Sequence, residues 1–224
     1  AESIGVVVAA AVVAVVFQQL DQEEGALQVD HAEAEVLVVA AKFLIVQVDV
    51  EEFARMIDET GAGYVIFPIG HAESYCPAPL ESWERIHPGQ TTQRDLIEEM
   101  ANALIERDIR LLCYINGPLG FKYPRYGGST PEQNQTFVAN FTDILTELGM
   151  RYKDKIAGYW FDTMIAIFKG FPQLPFEDFF NASKVGNKDR IICLNAWIWP
   201  DVSPWQDYWP GEVQHPIAIP ENGF

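Results

Sequence analysis

Ile156-Ala157-Gly158-Tyr159-Trp160-Phe161-Asp162 is an apolar run that ends on a carboxylate. Residues 156–161 read as a buried strand, and in a parallel α/β sheet or barrel the C-terminal ends of the strands form the active face. An acid placed there points into the site, which makes Asp162 the first candidate for a catalytic group. Taken alone, a strand-end Asp more often caps the next helix or closes a turn. Repetition of the pattern elsewhere in the chain is what raises the functional reading.

Working outward, residues 50–60 place Val50, Phe53, Ala54, Met56 and Ile57 at helical spacing with Gly61 as a stop, and residues 64–69 form a short apolar strand. Thr92 with Asp95 resembles a capping box that opens a helix through Leu96, Met100, Leu104 and Ile105. Residues 109–115 read as the next strand, ending on Asn116-Gly117-Pro118. Thr130-Pro131-Glu132-Gln133 combines an N-cap, a proline at the first helical position and a reaching Gln. The helix it opens runs through Phe137, Phe141, Ile144, Leu145 and Leu148 to Gly149. Beyond the 156–161 strand come a helix near residues 176–183 and a strand at 190–194.

Strands alternating with helices predict a parallel sheet with helices outside it. The fold class is therefore α/β, and a (β/α)8-type barrel is favoured over a doubly wound sheet because no Gly-x-Gly-x-x-Gly loop follows a strand. The same absence argues against a nucleotide cofactor. At 224 residues the chain suits a single domain, residues 1–224, although a complete barrel usually needs about 250 residues. The barrel is expected to be compact or incomplete, irregular toward both ends.

Residues 1–45 differ from the rest, being rich in Val, Ala, Glu and Gln with hardly an aromatic besides Phe17 and Phe43. The low-diversity run at 5–17 lacks the basic lead of a signal peptide and is too short to span a bilayer, which needs about 20 residues, so it reads as a buried strand or core helix. The net charge of −17, from 32 acids against 15 Lys and Arg, repels phosphate backbones and anionic polymers and points to a neutral substrate, without nucleic acid or membrane as partners. Cys76, Cys113 and Cys193 follow no Cys-x-x-Cys spacing, and the latter two sit inside apolar runs as small core residues.

At the strand ends stand His71 and Glu73, Tyr114 and Asn116, Asp162, and Asn195 with Trp197. His71 alone is more often a hydrogen-bonded structural histidine, and Asn195 can satisfy loop backbone. Glu73 beside His71 lacks a third ligand at a recognisable spacing, so no metal site is expected. Farther on, Trp197, Trp199, Trp205, Tyr208 and Trp209 crowd together with Asp201, Asp207 and Glu212. Aromatic faces stack on the C–H face of a sugar while carboxylates bind its hydroxyls, though ordinary packing accounts for any single Trp.

The succession Gly61-Ala62-Gly63-Tyr64-Val65-Ile66-Phe67, His71-Ala72-Glu73-Ser74-Tyr75, Arg94-Asp95-Leu96, Leu111-Leu112-Cys113-Tyr114, Tyr159-Trp160-Phe161-Asp162 and Asp207-Tyr208-Trp209-Pro210-Gly211-Glu212 resembles the catalytic barrel of the α-L-fucosidases, glycoside hydrolase family 29. The resemblance covers about residues 48–215 and is most specific at Trp160-Phe161-Asp162. It implies that Asp162 is the nucleophile of a retaining glycosidase, that His71 binds sugar hydroxyls, and that Glu212 lies where the acid/base glutamate can stand. Glu73 is the other candidate for that role. Tyr114, Asn116, Trp160, Asn195 and Trp197 complete the substrate-binding set, and hydrogen bonds from Tyr114 or Asn195 are expected to keep Asp162 ionised. No cofactor is implied, and the substrate would be a fucosylated glycan or related glycoside.

Three departures stand against the family's pattern. No His-Trp pair occurs between residues 1 and 48, Ala72 replaces the second of two adjacent histidines, and the family's barrel continues beyond the position of Phe224. A divergent hydrolase of another glycoside, a fragment, and a carbohydrate-binding or structural barrel without catalysis all stay open. The sequons at Asn134, Asn140 and Asn181, with the export common in such families, lead to an expectation of a secreted, periplasmic or lysosomal protein.

Overall fold

The computed structural model describes residues 48–70, 75–116, 129–164, 171, 173–195 and 203–208. The expectations for the low-diversity segment 1–45, and for His71, Glu73, Trp197 and Glu212, lie outside these residues.

Helix α1 (Val50–Thr60) opens on Asp49, whose carboxylate accepts from the Glu52 N–H, and ends at Gly61 with φ +72°, a left-handed cap that costs glycine no Cβ clash. Strand β1 (Tyr64–Gly70) follows, then a short helix α2 (Glu81–Ile86) and helix α3 (Leu96–Ile105). The N-cap of α3 is Asp95 itself, accepting from the Glu98 N–H, rather than Thr92 as the capping-box pattern predicted. Thr92 instead accepts from the Arg94 N–H at 3.3 Å, one turn too early to open the helix.

Strand β2 (Arg110–Asn116) leads to the long helix α4 (Pro131–Tyr152). Its start has both halves of the expected capping box: Thr130 Oγ1 accepts from the Gln133 N–H and Gln133 Oε1 accepts from the Thr130 N–H. A single 3-10 turn (Lys153–Lys155) feeds β3 (Ile156–Asp162), followed by α5 (Phe176–Ser183) and β4 (Ile191–Leu194).

Among the described residues, four strands form one parallel sheet in the order β1-β2-β3-β4, with no reversal of strand order. One face carries Cys113, Ile115, Tyr159, Phe161, Ile192 and Leu194, all buried. Phe161 meets Phe141 of α4 edge to face at 5.2 Å between ring centroids, and Phe141 in turn meets Phe179 of α5 at 5.0 Å. These aromatic contacts join the helical layer to the sheet. Among the described residues no helix is long and apolar enough to cross a membrane.

Pairing in register places Leu112, Gly158 and Ile191 in one row of the opposite face and Tyr114, Trp160 and Cys193 in the next. The lower row is closed: a Cβ added at Gly158 would lie 2.7 Å from Ile191 Cγ1, 2.8 Å from its carbonyl oxygen and 3.0 Å from Leu112 Cγ. The sheet's polar groups lie at the other end, toward the C-termini of the strands.

Candidate active site

Because side chains alternate along a strand, Trp160 and Asp162 share a face of β3, and the parallel register sets Asn116 of β2 beside Asp162. The backbone N–H of Asn195 donates to the Phe161 carbonyl at 2.7 Å, which carries the β4 ladder one residue past its last strand residue and brings the Asn195 side chain level with Asp162.

Asp162 is held from both sides. The Tyr114 hydroxyl donates to Oδ2 at 2.5 Å, and the Asn195 amide donates to Oδ1 at 2.7 Å. Both donors are neutral, both come from neighbouring strands, and each takes one lone pair of a different oxygen. Two such bonds, one on each oxygen, stop the carboxylate rotating and leave each oxygen a further lone pair. Tyr114 and Asn195 are the two donors expected from the sequence, and both reach Asp162.

Asn116 is different. Expected from the sequence among the substrate contacts, it is wholly buried, and its side-chain oxygen accepts from the Thr163 hydroxyl at 2.8 Å. Thr163 has φ +55°, a left-handed conformation that a β-branched residue adopts at a cost of about 1–3 kcal/mol. Nothing in residue type marks this position in the sequence. The nearest signal is the strand-end Asp that precedes it.

Beneath Asp162, the half-buried Trp160 meets Tyr208 edge to face at 6.5 Å. Beside it, burial pushes the Cys193 thiol up to about 12; the Asp162 charge adds to the shift and the Tyr208 hydroxyl opposes it. Cys113, wholly buried, is also pushed up to about 12 by desolvation. All three cysteines are buried and free, and Cys113 and Cys193 take the core positions their apolar runs predict.

Asp207, grouped with the sugar-binding carboxylates, instead closes the edge of β4: its Oδ2 accepts from the Ile192 N–H at 2.9 Å, its N–H donates to the Ile192 carbonyl at 2.8 Å, and it pairs with Lys184 at 2.8 Å. Trp205 packs on Phe180 at 5.5 Å between centroids. Both side chains are engaged by the fold.

The sequence matches the α-L-fucosidase family over residues 26–199, more than three quarters of the chain's 224 residues. The chain belongs to the α-L-fucosidase family. No match was found among curated protein sequences. Among solved structures, a bacterial fucosidase with a monovalent iminocyclitol inhibitor is similar at 20% identity and a TM-score of 0.59, over 71% of this chain and 37% of that one. A family 29 α-L-fucosidase from Bacteroides thetaiotaomicron, trapped as a covalent intermediate with 2-fluoro-fucosyl fluoride, is similar at 18% identity and a TM-score of 0.61, over 80% of this chain and 41% of that one. An endo-fucoidan hydrolase of glycoside hydrolase family 107 is similar at 17% identity and a TM-score of 0.51. At these identities the likeness is one of fold. This fucosidase-family chain spans about two fifths of the length of the two fucosidases.

Proposed function

We propose that this chain carries the nucleophile side of a retaining α-L-fucosidase site on a (β/α)8-type barrel, with Asp162 as the nucleophile. The observation that carries the reading is the carboxylate at the C-terminal end of β3, fixed by Tyr114 and Asn195 within a segment that matches the family. The consecutive strand order supports the barrel, since a doubly wound sheet reverses direction at its switch point and the four described strands show no reversal.

In the mechanism, the free lone pair of Asp162 attacks the anomeric carbon and the leaving oxygen departs with a proton from a second carboxyl group, giving a covalent fucosyl-enzyme. Water, activated by that second carboxylate, then cleaves the ester with net retention. Glu212 is the proposed acid/base and Glu73 the alternative, required to approach within about 5–5.5 Å of Asp162. Tyr114 and Asn195 preset the nucleophile, so no reorganisation is needed when charge moves onto the sugar. His71, Trp160 and Trp197 are the proposed contacts to the sugar. The charge of −17 favours a neutral fucosylated glycan or aryl glycoside over a sulfated polymer.

The test is hydrolysis of 4-nitrophenyl α-L-fucoside by the wild type and Asp162→Gly, with folding followed by circular dichroism. We expect the variant to lose turnover by a factor on the order of 10⁴ or more. Azide added to the variant should restore release of nitrophenol and yield the β-configured fucosyl azide, because the anion enters from the side the carboxylate vacates. Near-wild-type turnover in Asp162→Gly would remove Asp162 from the mechanism.

A further inference from the structure

We infer that Thr163 and Asn116 are positioning residues that aim Asp162, an inference that rests on the reading of Asp162 as the nucleophile. Three observations converge. Thr163 directly follows Asp162 and stands at φ +55°, where glycine or asparagine would be at ease and a β-branched side chain is not. Its hydroxyl oxygen lies 2.8 Å from Asn116 Oδ1 and 2.8 Å from the carbonyl oxygen of Asp162, so one proton is shared between the adjacent strand end and the nucleophile's own backbone. Asn116 itself is wholly buried and stands in register with Asp162.

The chain on either side is anchored. Phe161 and Met164 are both fully buried in the hydrophobic core, so the turn at 162–163 cannot relax by moving its ends. Within that frame, the Thr163 hydroxyl sets the peptide plane that follows Asp162 and hence the direction of its Cα–Cβ bond. Tyr114 and Asn195 then fix the carboxylate at the end of that bond. The strained conformation survives because the surrounding core and the hydroxyl bridge over-determine it, a pattern common where a reacting group must be held in place. Neither Thr163 nor Asn116 is assigned a contact with the sugar.

The experiment measures kcat and KM on 4-nitrophenyl α-L-fucoside, with Tm, for the wild type and for Thr163→Val, Thr163→Ser and Thr163→Gly. Valine keeps the shape and the strain but removes the hydroxyl, and should lower kcat roughly 10- to 100-fold with KM changed by less than about threefold. Serine keeps the hydroxyl and should return kcat to within about threefold of wild type. Glycine relieves the backbone and should have a Tm no lower than wild type, yet a kcat as low as the valine variant. Wild-type kcat in Thr163→Val, a loss confined to KM, or a kcat that follows Tm across the three variants would each overturn the inference while leaving Asp162 in place. A folded wild type without turnover would overturn the reading of Asp162, and this inference with it.

Discussion

A carboxylate that attacks an anomeric carbon must present one lone pair along a fixed line, and at Asp162, the proposed nucleophile, two hydrogen bonds set the direction of the carboxylate. Tyr114 holds Oδ2 and Asn195 holds Oδ1, each reaching across from an adjacent strand. Hydrogen bonds to a charged group contribute about 1.5–3 kcal/mol. Tyr114→Phe removes one of them without changing the ring, and we expect kcat/KM on an aryl fucoside to fall roughly 10- to 100-fold. Steady-state kinetics on the folded variant checks this, and an unchanged kcat/KM would mean that the Tyr114 bond does not serve the reaction. At this scale the sequence was legible where chemistry and alternation agree: Asp162, Tyr114 and Asn195 fall on one face by period two. It was not legible where backbone geometry decides, since nothing in Asp162-Thr163 announces a left-handed threonine. The role read for Asp207 went astray for a related reason, because which acid a strand edge recruits depends on tertiary approach.

Elements were read well wherever periodicity and caps are local. The capping box at Thr130 and the stop at Gly61 stand as the residues imply. Helix α2 escaped notice because it is six residues long and Leu80 offers it no side-chain cap. Its N-terminus is closed from a distance by the Glu147 carboxylate of α4, which accepts from the Glu81 N–H at 2.8 Å and the Ser82 N–H at 2.7 Å. Such a partner 65 residues away leaves no local signature. The register of β3 carries the site, and Gly158 is what lets β2, β3 and β4 approach in its row. Gly158→Ala forces a methyl against Ile191 and Leu112 and should destabilise the fold by about 1–3 kcal/mol, measured as a lower urea midpoint at constant slope. A midpoint equal to wild type would show that the row is looser than its 2.7 Å approach implies.

The molecule combines four described strands in consecutive parallel order, a sequence of the α-L-fucosidase family and a strongly acidic balance. Alternation of strands and helices gave the α/β class directly, whereas closure into a barrel is a property of many strands at once and is not written in any one of them. A net charge of −17 opposes the approach of sulfated chains, through repulsion that salt screens over about 8–10 Å. The proposed chemistry, however, is local: a covalent fucosyl ester on the Asp162 side chain. The most direct test is to incubate the protein with 2-fluoro-fucosyl fluoride, record its intact mass and map the modified peptide. A single fluorofucosyl group on the peptide containing Asp162, absent in Asp162→Gly, is the predicted result. A folded protein that acquires no label, or carries it on another residue, would contradict Asp162 as the nucleophile.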